Sequence, residues 1–108
     1  MTPEAQNEDM QVLAGIDRAV HEPARLMILA YLSAVESADF LFLANQTGLT
    51  RGNLSSHMTR LEQAGYVSIK KEFVDRIPRT LLRITRQGKA ALRSYRKNMM
   101  QVLKELPC

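Results

Sequence analysis

The spacing of apolar residues changes period along this chain, and the first change comes at Gly65. Before that point apolar side chains recur at threes and fours, first as Met10, Leu13, Ile16 and Val20 and later as Leu54, Met58 and Leu61. Such spacing lines one face of an α-helix. After it, Val67, Ile69 and Phe73 fall on one side of an alternating segment that Lys71 interrupts, and Leu82 and Ile84 repeat the alternation. Alternation marks a strand with one covered face. Helices, then two strands, then a further amphipathic segment imply a mainly α fold carrying a small β-hairpin. With 108 residues, 45% of them apolar, the chain has material for one core and one domain.

Punctuation residues divide the helical part. Residues 1–9 are polar and aperiodic, and a flexible N-terminus is expected there. A first helix is expected over 10–20. Pro23 suits a first helical position, and the run Leu26 to Leu32 is apolar on every side, which places the helix that carries it between neighbours. Ser37 or Asp39 can cap a short helix that stops at Gly48. Thr50 can cap the next, which runs to about Ala64 before Gly65 ends it. Two short helices joined at Gly48 form a helix-turn-helix candidate. The hairpin that follows has "VDRIPR" at its tip, with Pro78 expected in the loop and Arg76 and Arg79 exposed, so it reads as a basic wing over 73–80. Thr85 can cap a last helix over 86–106.

Charge is segregated along the chain. Residues 1–50 hold two Lys and Arg against seven Asp and Glu, whereas residues 51–108 hold thirteen against four. The second half is thus suited to a polyanion. No apolar run approaches the roughly 18 to 20 residues that span a bilayer. The N-terminus "MTPEAQNEDM" is acidic where a secretion signal would be basic and then apolar, so a cytoplasmic location is expected. The one cysteine, Cys108, has no partner for an internal disulfide.

The segment "LTRGNLSSHMTRLEQAGYV" concentrates the functional signal. Set at 100° per residue, Leu54, Met58 and Leu61 occupy about 60° of arc and should anchor this helix. The opposite side carries Gly52, Ser56, Thr59 and Gln63, flanked by Asn53 and Arg60 on one edge and Ser55 on the other. Gly costs about 1 kcal/mol relative to Ala inside a helix, so stability alone does not account for Gly52. A helix entering the major groove needs small side chains for approach and amide or guanidinium groups for base edges. On that reading Gly52 and Ser56 give clearance, Arg51, Asn53 and Arg60 make contacts, and the helix start at Thr50 favours a phosphate. The competing reading has Gly52 packing against the preceding helix. His57 lies at the edge of the core face and is read as a structural or phosphate-side residue. Lys70 and Lys71, with Arg76 and Arg79, could reach phosphates or the adjacent minor groove.

The stretches "HEPARLMILAYL", "LTRGNLSSHMTRLEQAGYVSIKKEF" and "PRTLLRITRQGKAAL" resemble the winged helix-turn-helix regulators of bacteria and archaea related to the MarR and ArsR families. The resemblance covers about residues 20–92. It implies a transcriptional regulator, usually a homodimer, in which the helix matching Thr50 to Ala64 reads the major groove of double-stranded DNA and the hairpin matching Phe73 to Thr80 is the wing. Metal-sensing ArsR members carry a cysteine-containing motif on the helix before the recognition helix, and "FLFLANQTG" has none. No metal or cofactor is therefore expected. The spacing Leu92, Tyr95, Met99, Val102 and Leu106, with Leu103 beside it, gives the narrow seam of a helix–helix contact. Together with Leu13, Ile16 and Val20 of the 10–20 helix, it is the expected dimer interface; the competing reading folds the seam back onto its own domain.

Catalysis finds no support in the sequence, which has no Gly-rich phosphate loop and no nucleophile, base and acid in a motif context. The alternative is a winged-helix module that binds protein or RNA without reading duplex sequence. The small polar face and the basic hairpin favour duplex DNA.

Overall fold

The computed structural model describes residues 11–107; the expected flexible segment 1–9, Met10 and Cys108 lie outside the described residues. Seven elements follow one another from Pro23. Helix α1 spans Pro23–Ser33, and the two-residue strand β1, Ala38–Asp39, leads into α2, Phe40–Thr47. Helix α3 spans Arg51–Gln63, strands β2 and β3 span Val67–Val74 and Ile77–Ile84, and α4 spans Arg86–Lys104.

Each helix begins where a side chain can accept one of the N–H groups left free at a helix start. Glu22 accepts from the N–H of Arg25 at 2.7 Å, with Pro23 in the first turn where its missing N–H costs nothing. Asp39 accepts from Leu41 and Phe42, Thr50 from Asn53, and Thr85 from Gly88. Gly48 ends α2 at φ 73° and Gly65 follows α3 at φ 83°, both in the left-handed region where a Cβ is strained.

Helix α1 is central. Its Ile28, Leu29 and Leu32 are fully buried and share one core with Leu43 of α2, Leu54, Met58 and Leu61 of α3, and Val67, Leu82 and Ile84 of the sheet. Burial of each such side chain contributes about 1.5 to 3 kcal/mol.

The expected helix over 10–20 is not continuous. Residues 11–14 are helical, the chain leaves the helix at Gly15, and Asp17 Oδ1 accepts the N–H of Ala19 at 2.9 Å in a local turn. Aspartate competes for backbone N–H groups in this way, and glycine weakens a helix interior. The turn directs Ile16, Ala19 and Val20 inward, and all three are buried.

The sheet is antiparallel with strand order β1-β3-β2, one strand more than the sequence led us to expect. Val67 faces Ile84 and Ile69 faces Leu82, while Ala38 pairs with Leu82 from the other side. The hairpin turn is also tighter than expected. It consists of Asp75 and Arg76 alone, both at positive φ (52° and 68°), the geometry of a two-residue hairpin whose twist matches its strands. Pro78 and Arg79 are therefore strand residues. Pro78 is tolerated because it pairs with Phe73 next to the closing pair Val74 and Ile77, where the alternation of an antiparallel ladder turns the N–H position away from β2. Beyond Ile69 the apolar face has no body beneath it, and Phe73 is exposed.

Helix α4 is fixed at its start by close backbone contact. A Cβ on Gly88 would lie 2.2 Å from the carbonyl oxygen of Tyr66, so only glycine fits. Thr85 reinforces the junction, accepting from Gly88 while its hydroxyl donates to the carbonyl of Gly65 at 2.7 Å. Nineteen residues at 1.5 Å carry α4 about 28 Å, and the described protein is elongated, with extents of 64 × 25 × 21 Å.

Candidate nucleic-acid interface

Helix α3 is held along its length by Leu54, Met58 and Leu61, three side chains with almost no exposed surface. Their spacing turns the rest of the helix outward. Arg51, Gly52, Asn53, Ser55, Ser56, Thr59 and Arg60 are all exposed, so the expected outer face is assembled as a single surface. Thr59 bonds back to the carbonyl of Ser55 at 3.0 Å, which keeps its hydroxyl against the helix. Among the described residues, the side chains of Arg51, Asn53 and Arg60 have no hydrogen bond or ion pair. Gly52 settles one of the competing readings: a Cβ there would meet nothing within 4 Å. Packing against the preceding helix does not require glycine at this position, and the space it leaves is external.

The inner edge of α3 is tied to α1 by a small polar network. Arg25 donates through Nε to the carbonyl of Ala19 at 2.6 Å, and its Nη1 lies 3.2 Å from His57 Nδ1. An arginine only donates, so Nδ1 accepts when unprotonated; when protonated it faces Glu22 Oε2 at 3.6 Å. Burial acts to raise the Glu22 carboxyl, but backbone N–H groups of Arg25 and Ala24, with the charges of His57 and Arg25, hold it below the ordinary glutamate value. His57 is thus half-buried and engaged, in keeping with a structural residue. This cluster joins positions 22, 25 and 57 across the fold, and spacing in the sequence carried no signal for Glu22 or Arg25. A second tie joins Tyr66, after α3, to Asp17: its hydroxyl donates to the carboxylate.

The basic hairpin residues separate into groups. Lys70 and Lys71 are adjacent in β2 and so point to opposite faces. Lys71 borders a groove of about 530 Å³ with Ser55, Thr59 and Glu62 of α3, while Lys70 lies on the far side, 3.7 Å from Glu72. Arg76 occupies the turn itself. Arg79 reaches back to Asp39, the cap of α2, at 3.6 Å, and so links the wing to the helix-turn-helix.

The expected dimer residues also separate. Val20 is fully buried in the core, and Ile16 and Val102 are nearly so, which leaves them no surface to offer a partner. The broken helix over 10–20 explains the first two. Leu92, Tyr95 and Met99 are half-buried, and Tyr95 accepts or donates a 2.8 Å hydrogen bond with His21. Leu13, Leu103 and Leu106 are exposed, although Leu106 lies past the end of α4. Leu26 and Ala30 of α1 with Leu92, Met99, Met100 and Leu103 of α4 line an apolar groove of about 660 Å³.

A capped two-helix unit, an outward polar helix and a hairpin beside it define a winged helix-turn-helix. Residues 24–103 match the family described as "Winged helix DNA-binding domain", and the chain belongs to that family. It is 34% identical over 84 residues to the uncharacterized protein MJ0432 of Methanocaldococcus jannaschii, covering 78% of this chain and 91% of that protein. Its fold matches that of a transcriptional regulator homologue from Pyrococcus horikoshii OT3 with a TM-score of 0.84 and 30% identity, over 94% of this chain and 99% of the other. It also shares the fold of the PcaV transcriptional regulator of Streptomyces coelicolor (TM-score 0.69, 19% identity, 93% and 70% coverage). The protein is a winged-helix transcription regulator of MarR-like architecture that binds DNA. No helix among the described residues is long and apolar enough to cross a membrane.

Proposed function

We propose that the protein acts in the cytoplasm as a homodimeric, sequence-specific regulator of transcription, with residues 10–108 forming one DNA-binding domain. Helix α3 enters the major groove, where Asn53, Arg51 and Arg60 meet base edges and phosphates and Gly52, Ser55 and Ser56 allow close approach. The wing lies along the neighbouring backbone or minor groove. The observation that carries this reading is the outer face of α3, which is small, polar and cationic while its inner face is anchored by Leu54, Met58 and Leu61.

The dimer contact is assigned to α4 and the groove it forms with α1. Leu103 and Met100 leave an apolar edge in water there, and the basic side chains Arg93, Arg96 and Lys97 flank it. Two copies related by a two-fold axis would present two α3 helices about one DNA turn apart, roughly 34 Å, and so select a pseudo-palindrome.

Selection of bound duplexes from a random pool, followed by titration of the enriched duplex across salt, tests the proposal. A pseudo-palindrome with half-sites one turn apart and a steep salt slope is expected. Weak binding without enrichment would exclude sequence reading and favour the protein-binding or RNA-binding alternative.

A further inference from the structure

The most exposed large apolar side chains of the described chain sit at the wing tip. Phe73 is 77% exposed and Ile77 63%, with Val74 beside them at 38%. Hairpin tips are ordinarily polar or charged, because exposed apolar strand ends invite association. The register gives these residues opposite orientations. Phe73 pairs with Pro78 on one face of the ribbon, and Val74 pairs with Ile77 on the other. Both sides of the tip are therefore apolar, and the connecting turn carries Arg76.

The turn is also held in a costly conformation. Asp75 and Arg76 both have positive φ, and Arg76 occupies a position where glycine would be unstrained. What arginine supplies there is charge at the extreme end of a narrow apolar ridge. Further down the same hairpin Lys70 pairs with Glu72 and Arg79 with Asp39, which leaves Lys71 and Arg76 against Asp75. An excess of positive charge around an apolar projection fits an anionic partner with a narrow apolar-walled cleft. The DNA minor groove has that chemistry, with phosphates at its rims and deoxyribose faces along its walls.

We propose that the wing tip is an apolar wedge that enters the minor groove, Phe73 and Ile77 packing on the two sugar walls and Arg76 lying between them at the groove floor. This rests on the DNA-reading proposal and deepens it. A two-stranded ribbon is wider than the roughly 6 Å minor groove of B-DNA, so entry requires the groove to open. Opening is least costly at pyrimidine–purine steps, which unstack readily, and it bends the duplex towards the major groove. The wedge thus adds sequence preference at positions outside the reach of α3.

Energy transfer between dyes at the two ends of the selected duplex tests this with the full chain. The wild type should raise transfer on binding, as bending shortens the end-to-end distance. Phe73→Thr with Ile77→Thr places strand-forming threonine at both exposed positions, and should lose the bend and on the order of ten-fold in affinity. Phe73→Leu, which retains an apolar side chain, should keep the bend. Replacing the pyrimidine–purine step beneath the wing with a purine–purine step should weaken the wild type and leave the double variant unchanged. Specific binding without a bend, or an equal bend in the double variant, would overturn the wedge while leaving the α3 reading intact. Loss of self-association in sedimentation with unchanged DNA binding would also overturn it, and would make the tip a protein contact. Absence of any specific duplex for the wild type would overturn both proposals.

Discussion

Helices α3 and α4 both lie on the surface, but they meet water in opposite ways. Helix α3 is anchored at three points along its length and turns outward a face of serine, threonine, asparagine, glycine and arginine. Helix α4 is anchored tightly at its first turn by Gly88 and leaves Met100 and Leu103 exposed towards its end. A surface that is small, polar and cationic suits a hydrated polyanion, whereas an exposed apolar edge is stabilised by another apolar surface. The contrast supports the proposal that one helix meets DNA and the other a second copy of the chain.

The largest effect should come from the anchor of α4. Gly88→Ala pushes a methyl into the carbonyl of Tyr66, and urea unfolding should report a loss of roughly 3 kcal/mol, since backbone on both sides must shift. If stability is unchanged, the start of α4 is not fixed by that approach. Next in size, Leu103→Asp places a charge on the proposed dimer edge. Sedimentation should show monomers, and affinity for the full palindrome should fall about 100-fold as the two half-sites bind independently. A dimer that persists would move the interface elsewhere.

Smaller effects separate the ties of α3 from its outer face. Tyr66 has its hydroxyl pKa pushed up to about 12, first by the hydrogen bond to Asp17, then by burial and the Asp17 charge. Because the folded value lies above the unfolded one near 10, its contribution is complete below pH 10 and fades as pH climbs towards 12. Tyr66→Phe should therefore cost about 1 kcal/mol at neutral pH and flatten the alkaline decline in stability. An unaltered alkaline slope would show that another group governs it. The smallest change is Gly52→Ala, which should stabilise α3 by about 0.5 to 1 kcal/mol and yet weaken DNA binding. A variant that is more stable and binds equally well would remove the clearance role of Gly52.

Local chemistry was the legible part of the sequence. Asp39, Thr50 and Thr85 each cap the helix that follows, and Gly48 and Gly65 stop the ones before them, because these effects act within three or four residues. The outer face of α3 was equally legible, since a helix converts spacing directly into direction. Features set by distant partners were not. Nothing near Gly88 in sequence reveals that Tyr66 O will approach it, and the Glu22, Arg25 and His57 cluster forms only once α1 and α3 pack. The hairpin turn was misplaced for a different reason. A two-residue turn usually advertises itself with Asn-Gly or Asp-Gly, and Asp75-Arg76 lacks the glycine, so Pro78 drew the loop towards itself. The helix over 10–20 kept its apolar spacing, but Gly15 and Asp17 outweighed it.

Sequence reading by α3 is the central proposal. Its most direct test is the affinity of Asn53→Ala for the selected duplex and for random duplex, measured side by side at one salt concentration. A base-reading Asn53 predicts a loss of about 1 to 3 kcal/mol on the selected duplex with little change on random DNA. Equal losses on both would make the outer face of α3 a general phosphate contact and contradict the claim.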